Sequence, residues 1–281
     1  MALRNFWREP ETLKVNILQD KITSPHNLAP RVSRERLLSI LRESLNCCAA
    51  TIINGRTGTG KTALVNDFAR NSGRRVAWYK VDAPDSELSV FFQYLCASVR
   101  GQRPGFGEQT LARLGELVGI EDVPLLVEYF VYELLEHDEP LLMVVDDLHL
   151  VYDAEWVVPF FRRLLPLLPP EVHIMLIGRS LPPAPLWRMR SKQTLYVIDE
   201  PELAFTLDEA RELFESYELP CEQASAAWQR TRGRASTLEN LARLMAEAAE
   251  LAKSSTKERR RNTGRLRLIK GYSPKTSMRT A

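Results

Sequence analysis

Cysteine is scarce in this 281-residue chain: four residues, Cys47, Cys48, Cys96 and Cys221. That is too few for a disulfide scaffold, and no two stand at the C-x-x-C spacing of a metal or redox pair. Adjacent Cys47 and Cys48 precede an apolar run and are expected as buried small hydrophobes. Long apolar runs are missing as well. No segment approaches 18 uncharged apolar residues, which excludes a membrane-spanning helix. Residues Met1 to Pro10 lack the apolar core of a signal peptide, so a cytoplasmic protein is expected. Glycine (13) and proline (17) are too few for a fibrous or low-complexity chain. Acid is nearly absent from the last stretch. From Lys253 onward ten Lys or Arg stand against one acid, which leaves 28 basic and 35 acidic residues elsewhere, a net of −7. A mildly acidic body with a basic tail does not coat nucleic acid with its whole surface.

What is present is a soluble composition, 44% hydrophobic and 26% charged, at a length that suits about two domains. Residues 1–30, broken by Pro25 and Pro30, read as an extended N-terminal arm. Ser33 to Asn46 reads as a helix, with Leu37, Leu41 and Leu45 one face. Buried strands are expected at Ala49–Asn54, Arg75–Val81, Leu141–Val145 and Val172–Ile177, with a fifth at Thr194–Ile198. Helices are expected after the first strand and at Asp85–Arg100, Val123–Glu136 and Asp153–Leu168. Strands alternating with helices imply an α/β fold with a parallel sheet covered on both faces, over residues 31–200. The composition then shifts. Thr206-Leu-Asp-Glu209 is a capping box, and Glu222–Arg232 and Ser236–Ala252 read as further helices, so 201–252 is expected as a small helical domain. Residues 253–281 are expected to be disordered.

The chemistry sits in Gly55-Arg-Thr-Gly-Thr-Gly-Lys-Thr62, a full G-x-x-x-x-G-K-[ST] match that follows a strand and opens a helix. Glycines let such a loop wrap so that successive amides point at phosphate oxygens, and the helix N-terminus adds its positive dipole. Gly55, Arg56, Thr57, Gly58, Thr59, Gly60, Lys61 and Thr62 are therefore candidate phosphate-binding residues. Lys61 is expected to neutralise the β- and γ-phosphates and Thr62 to ligate Mg²⁺. Leu141-Leu-Met-Val-Val-Asp146-Asp147 is an apolar strand ending in acid, which carries a carboxylate to the sheet edge where a nucleotide binds. Asp146 is the second Mg²⁺ candidate, mainly through water. Asp147 is the candidate that orients or deprotonates the attacking water. Arg179 closes the fourth strand, where a cation reaches a γ-phosphate. His149 is weighed as a partner of Asp147 and read as structural. Trp78 and Tyr79 are read as core, and Asp82 and Asp85 as caps of the following helix.

These motifs stand in an order and spacing that resembles the N-terminal ATPase module of the MalT-like regulators, a branch of the signal-transduction ATPases. The resemblance runs from about Lys21 to Glu250. It includes Lys21-Ile-Thr-Ser-Pro25, Val32-Ser-Arg-Glu-Arg-Leu37, the P-loop, and Trp78-Tyr-Lys-Val-Asp82 with Phe91 and Phe92. Asp146-Asp-Leu-His149, Arg179-Ser180 and Leu203-Ala-Phe-Thr-Leu-Asp-Glu-Ala210 complete it. The resemblance implies an ASCE-type P-loop NTPase fold: a five-stranded parallel sheet with the P-loop strand in its interior, plus a small C-terminal helical domain. It implies ATP as ligand, slow hydrolysis used as a switch, Val32 and Arg34 near the adenine, and Arg179 as the phosphate-sensing arginine. Gly233-Arg-Ala matches the family's glycine motif of the helical domain only in part. The family's winged-helix, helical-repeat and helix-turn-helix domains do not fit into 29 residues, so the expectation is a switch without its input or output.

The reading is thus an ATP·Mg²⁺-binding, slowly hydrolysing switch that acts on other protein through self-association or another regulator. The alternatives are a P-loop kinase and a non-specific DNA-binding module that uses the tail. No cluster of phosphate-clamping arginines supports the first. Against the second, the acidic body repels nucleic acid, and the run Arg259-Arg-Arg261 with Arg265, Arg267 and Lys270 has Tyr272 as its one aromatic neighbour.

Overall fold

Successive side chains of a strand point to opposite faces, so a strand buried at every position is covered on both sides. Leu141–Asp146 and Val172–Gly178 are buried throughout. The computed structural model describes residues 16–25, 29–116, 119–192 and 194–270. In it β1 (Ala50–Asn54), β2 (Arg75–Lys80), β3 (Leu141–Asp146), β4 (Val172–Gly178) and β5 (Leu195–Ile198) form one parallel sheet in the order β2-β3-β4-β1-β5. The strand that leads into Gly55 is interior, as expected, and β4 separates it from β3.

Each face of the sheet has its own core. Ile53, Trp78, Leu142, Val144 and Ile177 pack with α1 (Glu35–Cys47) and α2 (Lys61–Asn71). Ile52, Tyr79, Met143, Val145 and Leu176 pack with α3 (Leu88–Arg100), α5 (Val123–Leu135) and α6 (Val157–Leu164). Trp78 and Tyr79 are both buried, in opposite layers. One polar link crosses the first layer: His173 Nε2 lies 2.8 Å from the Thr51 hydroxyl, which lies 2.7 Å from that of Ser44. His173 Nδ1 is 3.0 Å from the Cys48 carbonyl. Burial lowers the His173 pKa to about 4, so the ring is neutral and the network is uncharged at pH 7.

Two buried charges hold segments that carry little apolar surface. Lys21 Nζ lies 2.6 Å from both carboxylate oxygens of fully buried Asp85 and 3.0 Å from Asp82 Oδ1, which pins residues 16–25 to the end of β2. Asp85 also accepts the Asp82 amide at 2.9 Å, so the two acids cap the short 3-10 turn Ala83–Ser86 and not the following helix, which starts only at Leu88 and has no side-chain cap. Residues 1–15 and 26–28 of the expected N-terminal arm lie outside the described residues. Glu133 on α5 is buried and accepts the amides of Gly107 (3.0 Å) and Thr110 (3.1 Å) and the Thr110 hydroxyl. It thereby caps α4 (Glu108–Leu114), a helix with no clear periodic signal in the sequence. Glu133→Ala should cost about 2 kcal/mol, since it strands several buried donors at a helix start. Urea unfolding measures the loss, and amide exchange should place it at residues 107–110.

Several elements differ from expectation, each for a local reason. Cys47 is exposed and Cys48 half-buried, because they occupy the end of α1 and the turn before β1 and not the strand. The helix expected over 153–168 is α6, Val157–Leu164. Pro159 has no N–H to give residue 155, so the helix cannot start earlier than its own first turn, and Pro166 stops it. The short elements α7 (Ala184–Trp187) and α8 (Glu200–Leu203) were not legible as periodic runs.

The chain divides into two compact units, Met1–Ala204 and Phe205–Ala281. The second holds α9 (Leu207–Glu215), α10 (Cys221–Thr231) and α11 (Ala235–Lys270). The capping box forms as read: the Thr206 hydroxyl accepts the Glu209 amide at 3.2 Å and Glu209 accepts the Thr206 amide at 2.9 Å. Gly233 has φ +70°, and a Cβ there would lie 2.4 Å from the Phe205 carbonyl oxygen, so this position requires glycine for packing within the unit. The tail read as disordered is helical through Lys270. Apart from Gly264, residues 253–270 contain no helix breaker and are rich in Lys and Arg. Residues 271–281 lie outside the described residues. Among the described residues no helix is long and apolar enough to cross a membrane.

Candidate functional site

A parallel sheet delivers the C-terminal ends of all its strands to one edge. At that edge β1 runs into the turn Gly55–Gly60, and Lys61 and Thr62 open α2. Gly58 and Gly60 both have φ +83°, a conformation that a Cβ disfavours, which is why the motif needs glycine there. Thr59 donates its hydroxyl to the Arg56 carbonyl at 2.9 Å and tightens the turn. Lys61 is buried, and its Nζ donates to the carbonyls of Gly55 (2.5 Å) and Arg56 (3.1 Å). Burial lowers the pKa of this ammonium, while the charge of Asp146 opposes the effect.

Two strands away, β3 ends in Asp146, which is 4% exposed. The Thr62 hydroxyl donates to it at 3.1 Å, and the Asp147 amide at 2.9 Å. Burial first, and then the neighbouring charge of Asp147, raise the Asp146 pKa to about 6. Asp147 turns away from the strand with φ +57°. Its Oδ1 lies 3.3 Å from Arg179 Nε, at the end of β4, and 3.8 Å from His149 Nδ1. The histidine ring is therefore beyond hydrogen-bond distance of the Asp147 carboxylate, and burial lowers its pKa. The structure thus brings Lys61, Thr62, Asp146, Asp147 and Arg179 to one edge, from three separate strands.

Val32 and Arg34 precede α1 and are buried. Arg34 is engaged by main chain: Nη1 donates to the Leu203 carbonyl (2.8 Å) and Nη2 to that of Gly60 (3.1 Å). One site neighbour was not singled out in the sequence. Glu200, on α8, accepts the Arg56 amide at 2.9 Å and Arg56 Nε at 2.8 Å. Its signal was slight, an acid just past a strand that pairs with β1.

The donor set suits Mg²⁺ with a phosphorylated ligand: a hydroxyl and a carboxylate, both hard oxygens, converge beside a lysine. Among the described residues no group of three or more His, Cys, Asp or Glu forms a self-sufficient metal cage, and Mg²⁺ typically takes only one or two protein carboxylates. Residues 31–177 match the AAA ATPase domain family. The chain belongs to this family. It is 29% identical over 199 residues to the HTH-type transcriptional regulator MalT of Serratia proteamaculans (strain 568), an alignment that covers 71% of this chain and 22% of that protein. MalT of Cronobacter sakazakii (strain ATCC BAA-894) is 29% identical over 203 residues, with the same coverage. The MalT-like resemblance of the ATPase domain therefore stands, and the chain spans about a fifth of the length of these relatives. Among solved structures, the Walker-type ATPase of Pyrococcus abyssi is 15% identical with a TM-score of 0.47, covering 85% of this chain and 80% of that one. The RuvB Holliday junction branch migration motor of Thermotoga maritima is 16% identical with a TM-score of 0.45, covering 80% and 67%. Both likenesses concern the fold alone.

Proposed function

We propose that this chain binds ATP with Mg²⁺ at the turn between β1 and α2, hydrolyses it slowly, and serves as the switch module of a MalT-like transcriptional regulator. The observation that carries this reading is the approach of the Thr62 hydroxyl to the Asp146 carboxylate, 3.1 Å, directly beside Lys61. In the proposal Gly55, Arg56, Thr57, Gly58, Thr59 and Gly60 shape the phosphate loop, and Lys61 faces the β- and γ-phosphates. Thr62 and Asp146 hold Mg²⁺, which when bound neutralises phosphate charge. Asp147 orients the attacking water and accepts its proton. Arg179, next to Asp147, contacts the γ-phosphate. Val32 and Arg34 border the adenine. Output passes to a second copy of the chain or to another regulator, and any duplex DNA binding is non-specific.

Calorimetry with ATP, followed by assay of released phosphate, tests the reading. Asp147→Asn should bind ATP within about threefold of the parent and hydrolyse it about 10²-fold more slowly, because an amide cannot take the water's proton. Unchanged phosphate release would remove Asp147 from its role. Label appearing on a small acceptor in place of free phosphate would replace the ATPase with a kinase.

A further inference from the structure

The phosphate loop packs against α8. Arg56 stands near the start of the loop, and Glu200 accepts both its backbone amide (2.9 Å) and its Nε (2.8 Å). Gly60 stands at the end, and its carbonyl shares the Arg34 guanidinium with the Leu203 carbonyl, at 3.1 and 2.8 Å. At the residue before Arg56, a Cβ on Gly55 would lie 3.1 Å from Leu203 Cδ1 and 3.4 Å from Glu200 Cβ. The loop therefore meets α8 directly at its first and second residues and is linked to it at its sixth through Arg34.

From this arrangement we infer that Glu200 is a positioning residue for the phosphate loop: its carboxylate fixes the Arg56 peptide and so sets the directions of the amides that follow. The inference rests on the nucleotide-site reading above and names what tunes that site. The ion pair is a minor part of it. The Arg56 side chain is 77% exposed, and exposed pairs contribute little. The amide contact is the ordering one, because it restrains the backbone. A carboxylate beside a phosphate loop would repel the ligand if it stood alone. Paired with the Arg56 guanidinium it holds the loop while its charge is offset.

The test uses the full chain. Glu200→Ala should weaken ATP affinity about tenfold by calorimetry, the effect of one lost charge-assisted contact. Glu200→Gln keeps an acceptor for the Arg56 amide and should recover most of that loss. Arg56→Ala keeps the amide contact, so exchange at residues 57–60 without nucleotide should stay near parental. Glu247→Ala removes the exposed pair with Arg243 on α11, at 2.7 Å, and should leave affinity as in the parent. Without nucleotide, amide exchange at residues 56–60 should be about tenfold faster in Glu200→Ala and near parental in Glu200→Gln. Parental exchange and parental affinity in Glu200→Ala would overturn the inference. Parental ATP affinity in Lys61→Ala would instead overturn the nucleotide-site reading, and the exchange measurement would still decide whether Glu200 orders the loop.

Discussion

Lys61→Ala is expected to abolish measurable ATP binding, with affinity at least 10²-fold below the parent. A phosphate chain in a partly dehydrated loop loses its nearest cation, and truncating one partner of such a charge pair costs about 2–5 kcal/mol. The fold should survive. Lys61 is buried, so its removal deletes two contacts to the carbonyls of Gly55 and Arg56. The same substitution relieves the desolvation that lowers its pKa. These effects oppose each other, and thermal unfolding without nucleotide should shift by only a few degrees. Equal calorimetric affinity for parent and variant would dispose of the nucleotide site.

Asp146→Asn should do two opposite things. With Mg²⁺ and ATP it should bind at least tenfold more weakly, since a neutral amide is a poor partner for Mg²⁺ and its water shell. Without metal or nucleotide it should be more stable than the parent at neutral pH. The sign follows from the titration. The Asp146 pKa is raised from 3.8 to about 6, chiefly by burial, so the folded chain holds its proton more tightly than the unfolded chain. The favourable contribution is complete below about pH 4 and is lost as pH rises through about 6. A rise of that size corresponds to about 3 kcal/mol of unfavourable charge burial at pH 7.5. The asparagine avoids this cost and still offers Oδ1 to the Asp147 amide. Urea unfolding in chelator should find the variant about 1–3 kcal/mol more stable at pH 7.5, with the gain shrinking towards pH 5. Equal stability at both pH values would mean that the Asp146 carboxylate is not desolvated. The site would then lack the strain that a bound cation relieves.

Much of the architecture was legible because it depends on short-range pattern. Apolar runs of four to seven residues marked all five strands, and Leu37 and Leu41 marked the buried face of α1. Glycines at 58 and 60 announced a turn that needs positive φ, and both adopt it. The acid pair after β3 announced where that strand ends. Misreadings came where a rule of wider reach took over. Pro159 and Pro166 set the limits of α6 by removing donors, although the apolar pattern continued past both. α4 has its N-terminal amides satisfied by Glu133, from a helix later in the chain. Composition marked residues 253–270 as tail, yet the same lysines and arginines are good helix formers.

By itself, then, the sequence determined the glycine-rich turn proposed to hold phosphate, the acid pair that ends β3 and the alternation of elements, because each is written in adjacent positions or in a period of two or near four. The tertiary structure decided what those residues meet. The order β2-β3-β4-β1-β5 places β4 between the loop and Asp146 and so brings Arg179 to Asp147. Chain crossing brings α8 back against the loop, where Glu200 holds the Arg56 amide 144 residues away. It also ties up Arg34 between Gly60 and Leu203. Burial of Asp146 raises its pKa because the sheet and α2 exclude water from it, an effect of packing that no neighbour in the chain reports. Local pattern names candidate groups, while their charge states and partners follow from which strands lie side by side.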